Sequence, residues 1–309
     1  MKPFNFDGLM APAFTPFSDD GKFQLNLSVI PGYLKYLTSS GIKGVLVNGT
    51  SGEGASQNVT EREAVAEAWI AARDKADEQC CVVVQVGGAP LPDVIKLAAH
   101  AERLGVDGIM CLPDLFYRPS DVDTLANYLS LVSAAAPKTP LLYYHLPSFT
   151  GVNLSMSNLM DRCLGGRVPT FVGLKFTSPD LQELGRCMEI CRREPLRVFL
   201  GCDELMLPAF ALGSPSSIAT TFNLIPKISV TLEKHIKSGG KLDEAIEIQR
   251  KISAAVSCIT RGGGWVPTMK AAMAVLTDIP VGPPRPPQAS VSEQHLRDMT
   301  SDLKRVLSL

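Results

Sequence analysis

The amino-acid sequence predicts an α/β fold, a (β/α)8 TIM barrel followed by a helical C-terminal extension. Three observations lead there. Short apolar runs alternate with longer stretches of helical period almost from the first residue, the pattern of repeated βα units on a parallel sheet. Eight such runs fall within roughly 230 residues, each followed by its own cover helix, which suits a closed barrel better than an open sheet. The rival doubly wound sheet requires a glycine fingerprint on its first strand–helix turn. Ala11-Pro12-Ala13-Phe14-Thr15-Pro16 occupies that turn and is not one, and the chain has no GxxxxGK[ST] phosphate loop.

In order, the candidate strands are Leu9–Phe14, Gly44–Val47, Val82–Val86, Gly108–Cys111, Leu141–Tyr144, Phe171–Phe176, Arg197–Leu200 and Ser217–Ala219. Between them lie helical stretches with start signals. Thr60 with Glu63 forms a capping-box pattern ahead of the stripe Val65, Ala68, Trp69 and Ala72. Ser178 before Pro179 marks another start, with Leu181, Leu184, Met188 and Cys191 behind it. After Gly239 three helical segments, Leu242–Ile259, Val266–Leu276 and Val291–Leu307, follow without intervening strands. Gly262-Gly263-Gly264 separates the first two, and Pro280 to Pro287 is a stiff connector before the last. The chain thus reads as a catalytic barrel over 1–238 and an extension over 239–309.

The composition narrows the function classes. The 309 residues carry 30 Lys and Arg against 31 Asp and Glu, a net charge of −1, and are 45% hydrophobic. That supports a large core and gives no electrostatic footprint for nucleic acid or an anionic membrane. Met1 to Phe17 lacks the basic start and apolar block of a signal peptide, and no long uncharged apolar stretch follows. The expectation is a cytoplasmic protein. The eight cysteines show no CxxC pair or disulfide-framework spacing. Cys187 and Cys191 lie four apart but have no histidine pair beside them, so no metal is expected.

In a barrel the chemistry sits where the strands end. In Thr170-Phe171-Val172-Gly173-Leu174-Lys175-Phe176-Thr177 a lysine closes an apolar strand. Strict alternation puts Phe171, Gly173 and Lys175 on one face, turning Lys175 inward above a residue without a side chain. A poorly hydrated ammonium favours its neutral form, and the free amine is the nucleophile that imine-forming catalysis requires. The bland alternative is a lysine that snorkels into water or pairs with Asp203 or Glu204. After the second strand, Asn48-Gly49-Thr50-Ser51-Gly52-Glu53-Gly54 interleaves glycines with hydroxyls, either a backbone nest for a carboxylate or an ordinary tight turn. Tyr143-Tyr144-His145 ends the fifth strand, offering a phenol as proton relay or simply aromatic packing. Gly201-Cys202-Asp203-Glu204 follows the seventh, two carboxylates for a polyol or the acidic first turn of a helix. His100, His235 and His295 lie on predicted helices without partners at ligand spacing.

Taken together, Gly49-Thr50-Ser51-Gly52-Glu53, Tyr144 followed by Pro147, and Gly173-Leu174-Lys175 resemble the family of pyruvate-dependent Schiff-base aldolases that includes N-acetylneuraminate lyase and dihydrodipicolinate synthase. The similarity runs from about Leu9 to Pro287. Val47-Asn48-Gly49-Thr50, Tyr143-Tyr144-His145, Gly173-Leu174-Lys175-Phe176 and Ile279-Pro280 with Gly282-Pro283-Pro284-Arg285 resemble the sialic-acid-cleaving animal branch. The resemblance implies that Lys175 forms an imine with the keto carbon of open-chain sialic acid, that Thr50 and Ser51 hold its carboxylate, and that Tyr144 shuttles protons. It implies that Thr177, Gly201, Asp203, Glu204 and Thr220 contact the sugar portion. N-acetylmannosamine and pyruvate would be the products, no cofactor would be needed because the lysine supplies the electrophile, and the assembly would be a homotetramer.

The chain also departs from the family pattern. Ala219-Thr220-Thr221-Phe222-Asn223 stands where the family usually has Gly-Ser-Thr-Tyr-Asn. Phe116, with Tyr117 beside it, stands where several members carry a tyrosine that reaches a neighbouring subunit's site. Phe149 replaces the arginine with which dihydrodipicolinate synthase grips a second carboxylate, which argues against that substrate. The alternatives are another 2-keto acid aldolase, such as one acting on 2-keto-3-deoxygluconate, and a non-catalytic keto-acid or sugar sensor on the same barrel.

Overall fold

The computed structural model describes residues 1–308. Eight parallel strands follow one another in chain order around a closed barrel: β1 Leu9–Pro12, β2 Gly44–Val47, β3 Cys81–Gln85, β4 Gly108–Cys111, β5 Leu141–His145, β6 Phe171–Phe176, β7 Arg197–Leu200 and β8 Ser216–Ile218. Every predicted strand is present, with ends displaced by no more than a residue or two. Nearly every strand residue is buried, as expected of parallel strands covered on both faces, and this is why they read as unbroken apolar runs. The predicted extension is helical over Leu242–Thr260, Trp265–Leu276 and Glu293–Leu307.

By its internal contacts the chain divides into two compact units, one of Met1–Gly8 with Cys81–Ile218 and one of Leu9–Cys80 with Ala219–Leu309. In the first unit β3 to β8 pair in parallel, and the N-terminal segment lies at their starting ends. The rings of Phe4 and Phe6 each stand 6.2 Å from that of Phe199. Asp7 faces Arg197 at 3.4 Å, and the Gly8 amide donates to Ser216 Oγ at 3.0 Å. In barrels of this kind the chemistry sits at the opposite, C-terminal ends of the strands.

The second unit is knit by Tyr33. Its ring lies 5.5 Å from that of Trp69, and its hydroxyl donates to Asn223 Oδ1 at 2.6 Å while accepting from the Phe14 amide. Asn223 Nδ2 in turn donates to the Pro12 carbonyl at 3.1 Å, so the turn after β8 is fastened to the end of β1. In the extension, the helix Leu242–Thr260 packs between Pro226–Lys237 and Glu293–Leu307.

Two helix starts differ from the sequence expectation. The helix Val59–Asp74 is capped by Asn58, which closes a capping box with Glu61, and not by Thr60 with Glu63. Both pairs fit the spacing, and the asparagine prevails because its carboxamide reaches the Glu61 amide from extended backbone. Likewise Asp180 caps Leu181–Cys191, and the Ser178 hydroxyl only accepts from the Asp180 amide.

One carboxylate links two helices of the first unit. Glu183 Oε1 accepts from Ser155 Oγ, Ser157 N and Ser157 Oγ at 2.9 to 3.0 Å, and its Oε2 meets Arg186 at 3.0 Å. Burial pushes this carboxyl up, but the donors from Ser157, Arg186 and Ser155 outweigh it and hold it down at about 2. A group depressed in the folded state stabilises above its ordinary value of 4.5, and that contribution fades as pH falls towards about 2. Glu183→Gln is therefore expected to lose about 1–3 kcal/mol at neutral pH, the deficit shrinking to nothing across that window. Urea unfolding at several pH values measures it, and a deficit independent of pH contradicts this account.

Candidate active site

The geometry begins with register. β5 and β6 are parallel neighbours in which Tyr144 is opposite Lys175, and paired residues on adjacent parallel strands point to the same side about 4.8 Å apart. The Lys175 ammonium lies 2.9 Å from the Tyr144 hydroxyl and 4.2 Å from the centre of its ring. Both side chains are almost inaccessible, 3% and 2% exposed. The lysine therefore does not snorkel into water.

The route to this placement differs from strict alternation. Leu141 pairs with Phe171 and Leu142 with Gly173, so Val172 is an extra residue and β6 carries a bulge. Beyond it Gly173 and Lys175 share the side of Leu142 and Tyr144, while Phe171 goes with Leu141 to the other. Gly173 has φ +140°, and a Cβ there would overlap the Arg197 carbonyl. Its glycine thus serves the close approach of β6 and β7, not room beneath the lysine.

The same unit holds the residues that follow β6 and β7. Thr177 donates its amide to the His145 carbonyl at 2.9 Å, and its buried hydroxyl has no hydrogen-bond partner among the described residues. Gly201 is packed so tightly that a Cβ would overlap the Thr177 hydroxyl and lie 3.1 Å from Lys175 Cε. Asp203 and Glu204 open a short 3-10 turn, the first buried and the second exposed. Partial burial and the neighbouring Asp203 both push the Glu204 carboxyl above the usual carboxylate range.

Burial pushes two more side chains here toward their neutral forms. Burial pushes the Cys202 thiol up to about 11, with Asp203 adding to the rise and Lys175 opposing it. Burial also pulls His145 down to about 4, and its ring stacks on Phe176 at 5.2 Å. Cys202 carried no sequence signal; its relevance comes only from standing beside Gly201.

In the second unit, Ser51 and Thr220 meet at 3.1 Å between their hydroxyls, and both are buried. The Thr220 hydroxyl also accepts from the Trp265 indole at 3.2 Å. Trp265 went unnoticed in the sequence, although it is the first helical residue after the triple glycine. Thr50 is half-buried beside Ser51. Glycines compress their loop: a Cβ on Gly52 would press on the Ala13 carbonyl, and one on Gly54 would overlap that of Asn48. Also missed were Glu53 and Lys270 as a buried ion pair, for which a lone lysine inside the apolar helix Trp265–Leu276 was the available clue.

Of the positions where the chain departs from the family pattern, Phe116 and Tyr117 are 83% and 82% exposed, edge to face with each other at 5.0 Å. Phe149 is likewise exposed.

A lysine amine buried against a tyrosine hydroxyl at the ends of adjacent barrel strands brings together the two kinds of group that imine-forming chemistry would use. The family model described as dihydrodipicolinate synthetase family matches residues 5–306, and the chain belongs to that family. It is 36% identical to the N-acetylneuraminate lyase of Homo sapiens over 96% of this chain and 91% of that protein. Among solved structures it is similar to the N-acetylneuraminate lyase of Proteus mirabilis, at TM-score 0.89 and 31% identity over 98% of this chain and 99% of that one. It is similar also to the sialic acid aldolase of Aliivibrio salmonicida, at TM-score 0.90 and 30% identity over 98% of each.

Because Gly201 borders both Thr177 and the lysine stem, Gly201→Ala is expected to cost about 1–3 kcal/mol of stability and, in the protein that still folds, to lower pyruvate release by about 10²-fold, the scale of a displaced reacting group. Turnover within about twofold of the parent, by the same assay, contradicts the packing described.

Proposed function

We propose that this protein is a Schiff-base lyase that reversibly cleaves N-acetylneuraminate to N-acetylmannosamine and pyruvate. The observation that carries the reading is the contact of 2.9 Å between the buried Lys175 amine and the Tyr144 hydroxyl. The likeness to N-acetylneuraminate lyases over nearly the whole chain supports the substrate.

In this reading the Lys175 amine adds to the keto carbon of the open-chain sugar acid and water leaves, giving a protonated imine. Thr50 and Ser51 hold the carboxylate, and Tyr144 takes the proton from the hydroxyl beside the bond that breaks. The imine accepts the electron pair of that bond, so N-acetylmannosamine departs and an enamine remains. Protonation and hydrolysis of the enamine release pyruvate and restore the amine. In the same proposal Thr177, Gly201, Asp203, Glu204 and Thr220 contact the sugar portion; a buried hydroxyl without a partner among the described residues, as at Thr177, is the kind of group a polyol would satisfy. The chemistry needs no cofactor, because the lysine provides the electron sink. Action in the cytoplasm as a homotetramer belongs to the same proposal; among the described residues no helix is long and apolar enough to cross a membrane.

Pyruvate release measured by a coupled dehydrogenase assay tests it. N-acetylneuraminate is expected to be cleaved faster than 2-keto-3-deoxygluconate, and Lys175→Ala to lose about 10³-fold or more of the activity. Preference for the other sugar acid overturns the substrate, and turnover by Lys175→Ala at the parent rate overturns the mechanism. Saturable binding of both acids without any turnover would instead make the protein a sensor.

A further inference from the structure

Asn48 and Glu53 hold left-handed backbone, with φ of 58° and 52°, and they bracket Thr50 and Ser51. Asparagine visits this region readily; a glutamate does so only when its surroundings hold it there. Those surroundings are unusual. Glu53 Oε1 lies 2.7 Å from Lys270 Nζ, with the two side chains 0% and 1% exposed. Glu53 Oε2 accepts from the Arg285 backbone amide at 2.8 Å and from Gln288 Nε2 at 3.0 Å. Lys270 spends its remaining donors on the carbonyls of Thr15 and Pro283, each at 3.0 Å, and lies 4.6 Å from the centre of the Phe17 ring. The Arg285 guanidinium pairs with both oxygens of Glu61 at 2.8 and 2.9 Å and donates to the carbonyls of Ser56 and Phe23. The segment after the prolines thus holds the loop through Glu53 and, by way of Arg285, holds Ser56 and Glu61 just beyond it.

A buried ion pair is a poor source of stability, since apolar residues of the same volume usually serve at least as well. What it does supply is a single arrangement, because neither charge can leave its partners without being stranded away from water. Both Glu53 oxygens are occupied within the protein, so its effect on a ligand is exerted through the loop.

We infer that Glu53, clamped by Lys270 and the connector Pro283–Gln288, is a positioning residue that sets the Thr50–Ser51 segment for the carboxylate of the keto acid. The inference rests on the reading of that segment as the carboxylate site, and it gives the C-terminal extension a part in building the site.

The test is steady-state condensation of pyruvate with N-acetylmannosamine by the full-length protein, comparing the parent, Ser51→Ala and the double variant Glu53→Leu with Lys270→Met. The double variant replaces the pair with apolar side chains and leaves no stranded charge. It is expected to raise the KM for pyruvate by about tenfold or more while kcat, the KM for N-acetylmannosamine and the thermal midpoint change little. If that protein does not fold, Gln288→Ala, which removes one donor to Glu53, is expected to raise the pyruvate KM by about a few-fold with kcat preserved. A raised pyruvate KM in Ser51→Ala but a parental one in the folded double variant, or in Gln288→Ala where that stands in, overturns the positioning role alone. A parental pyruvate KM in Ser51→Ala overturns the carboxylate reading, and the inference with it.

Discussion

The contact between one amine and one phenol sets the terms for the rest of the first unit. Lys175 and Tyr144 meet because their strands are parallel neighbours in a register that places them side by side. That register holds only because β6 absorbs an extra residue at Val172 and lets Gly173 press against the backbone of β7. Gly201 then brings the next loop close to the lysine stem. Three backbone features, none of them reactive, fix the position of one nitrogen to within hydrogen-bonding distance of the Tyr144 hydroxyl.

The second unit spends its special features differently. Its strained loop, buried ion pair and connector contacts form one linked set, and Asn48 and Glu53, the strained residues of that loop, flank Thr50 and Ser51 in the chain. Ser51, Thr220 and Trp265 make a second chain of hydroxyl and indole contacts. Rigid scaffolding around small polar groups is what binding a compact anion demands, because the affinity of a few hydrogen bonds depends on their being pre-aligned.

Much of this was legible in the sequence. Fully buried parallel strands leave unbroken apolar runs, so all eight were found, and a lysine closing such a run marked Lys175 as a candidate. The Thr50–Ser51 loop and the Tyr144 phenol were read from glycine spacing and from a strand end, each with a bland alternative, and Thr220 from the family resemblance; the structure brings Tyr144 to Lys175 and Ser51 to Thr220. What escaped has a common physical cause. The bulge at Val172, the contacts of Phe4 and Phe6 with Phe199 and the Glu53–Lys270 pair depend on contacts between segments far apart in the chain, to which local periodicity is blind. The capping of Val59–Asp74 was ambiguous for a different reason: two overlapping boxes fit the same rule, and only backbone geometry chooses between them.

The central claim is that the Lys175 nitrogen becomes covalently joined to the keto carbon of the substrate. Borohydride reduction in the presence of pyruvate, followed by peptide mass mapping, tests it most directly. The account predicts one reduced pyruvate adduct per chain, carried on Lys175 and missing from unreduced controls. An unmodified Lys175 peptide after reduction at saturating pyruvate, in enzyme that still cleaves its substrate, would contradict it.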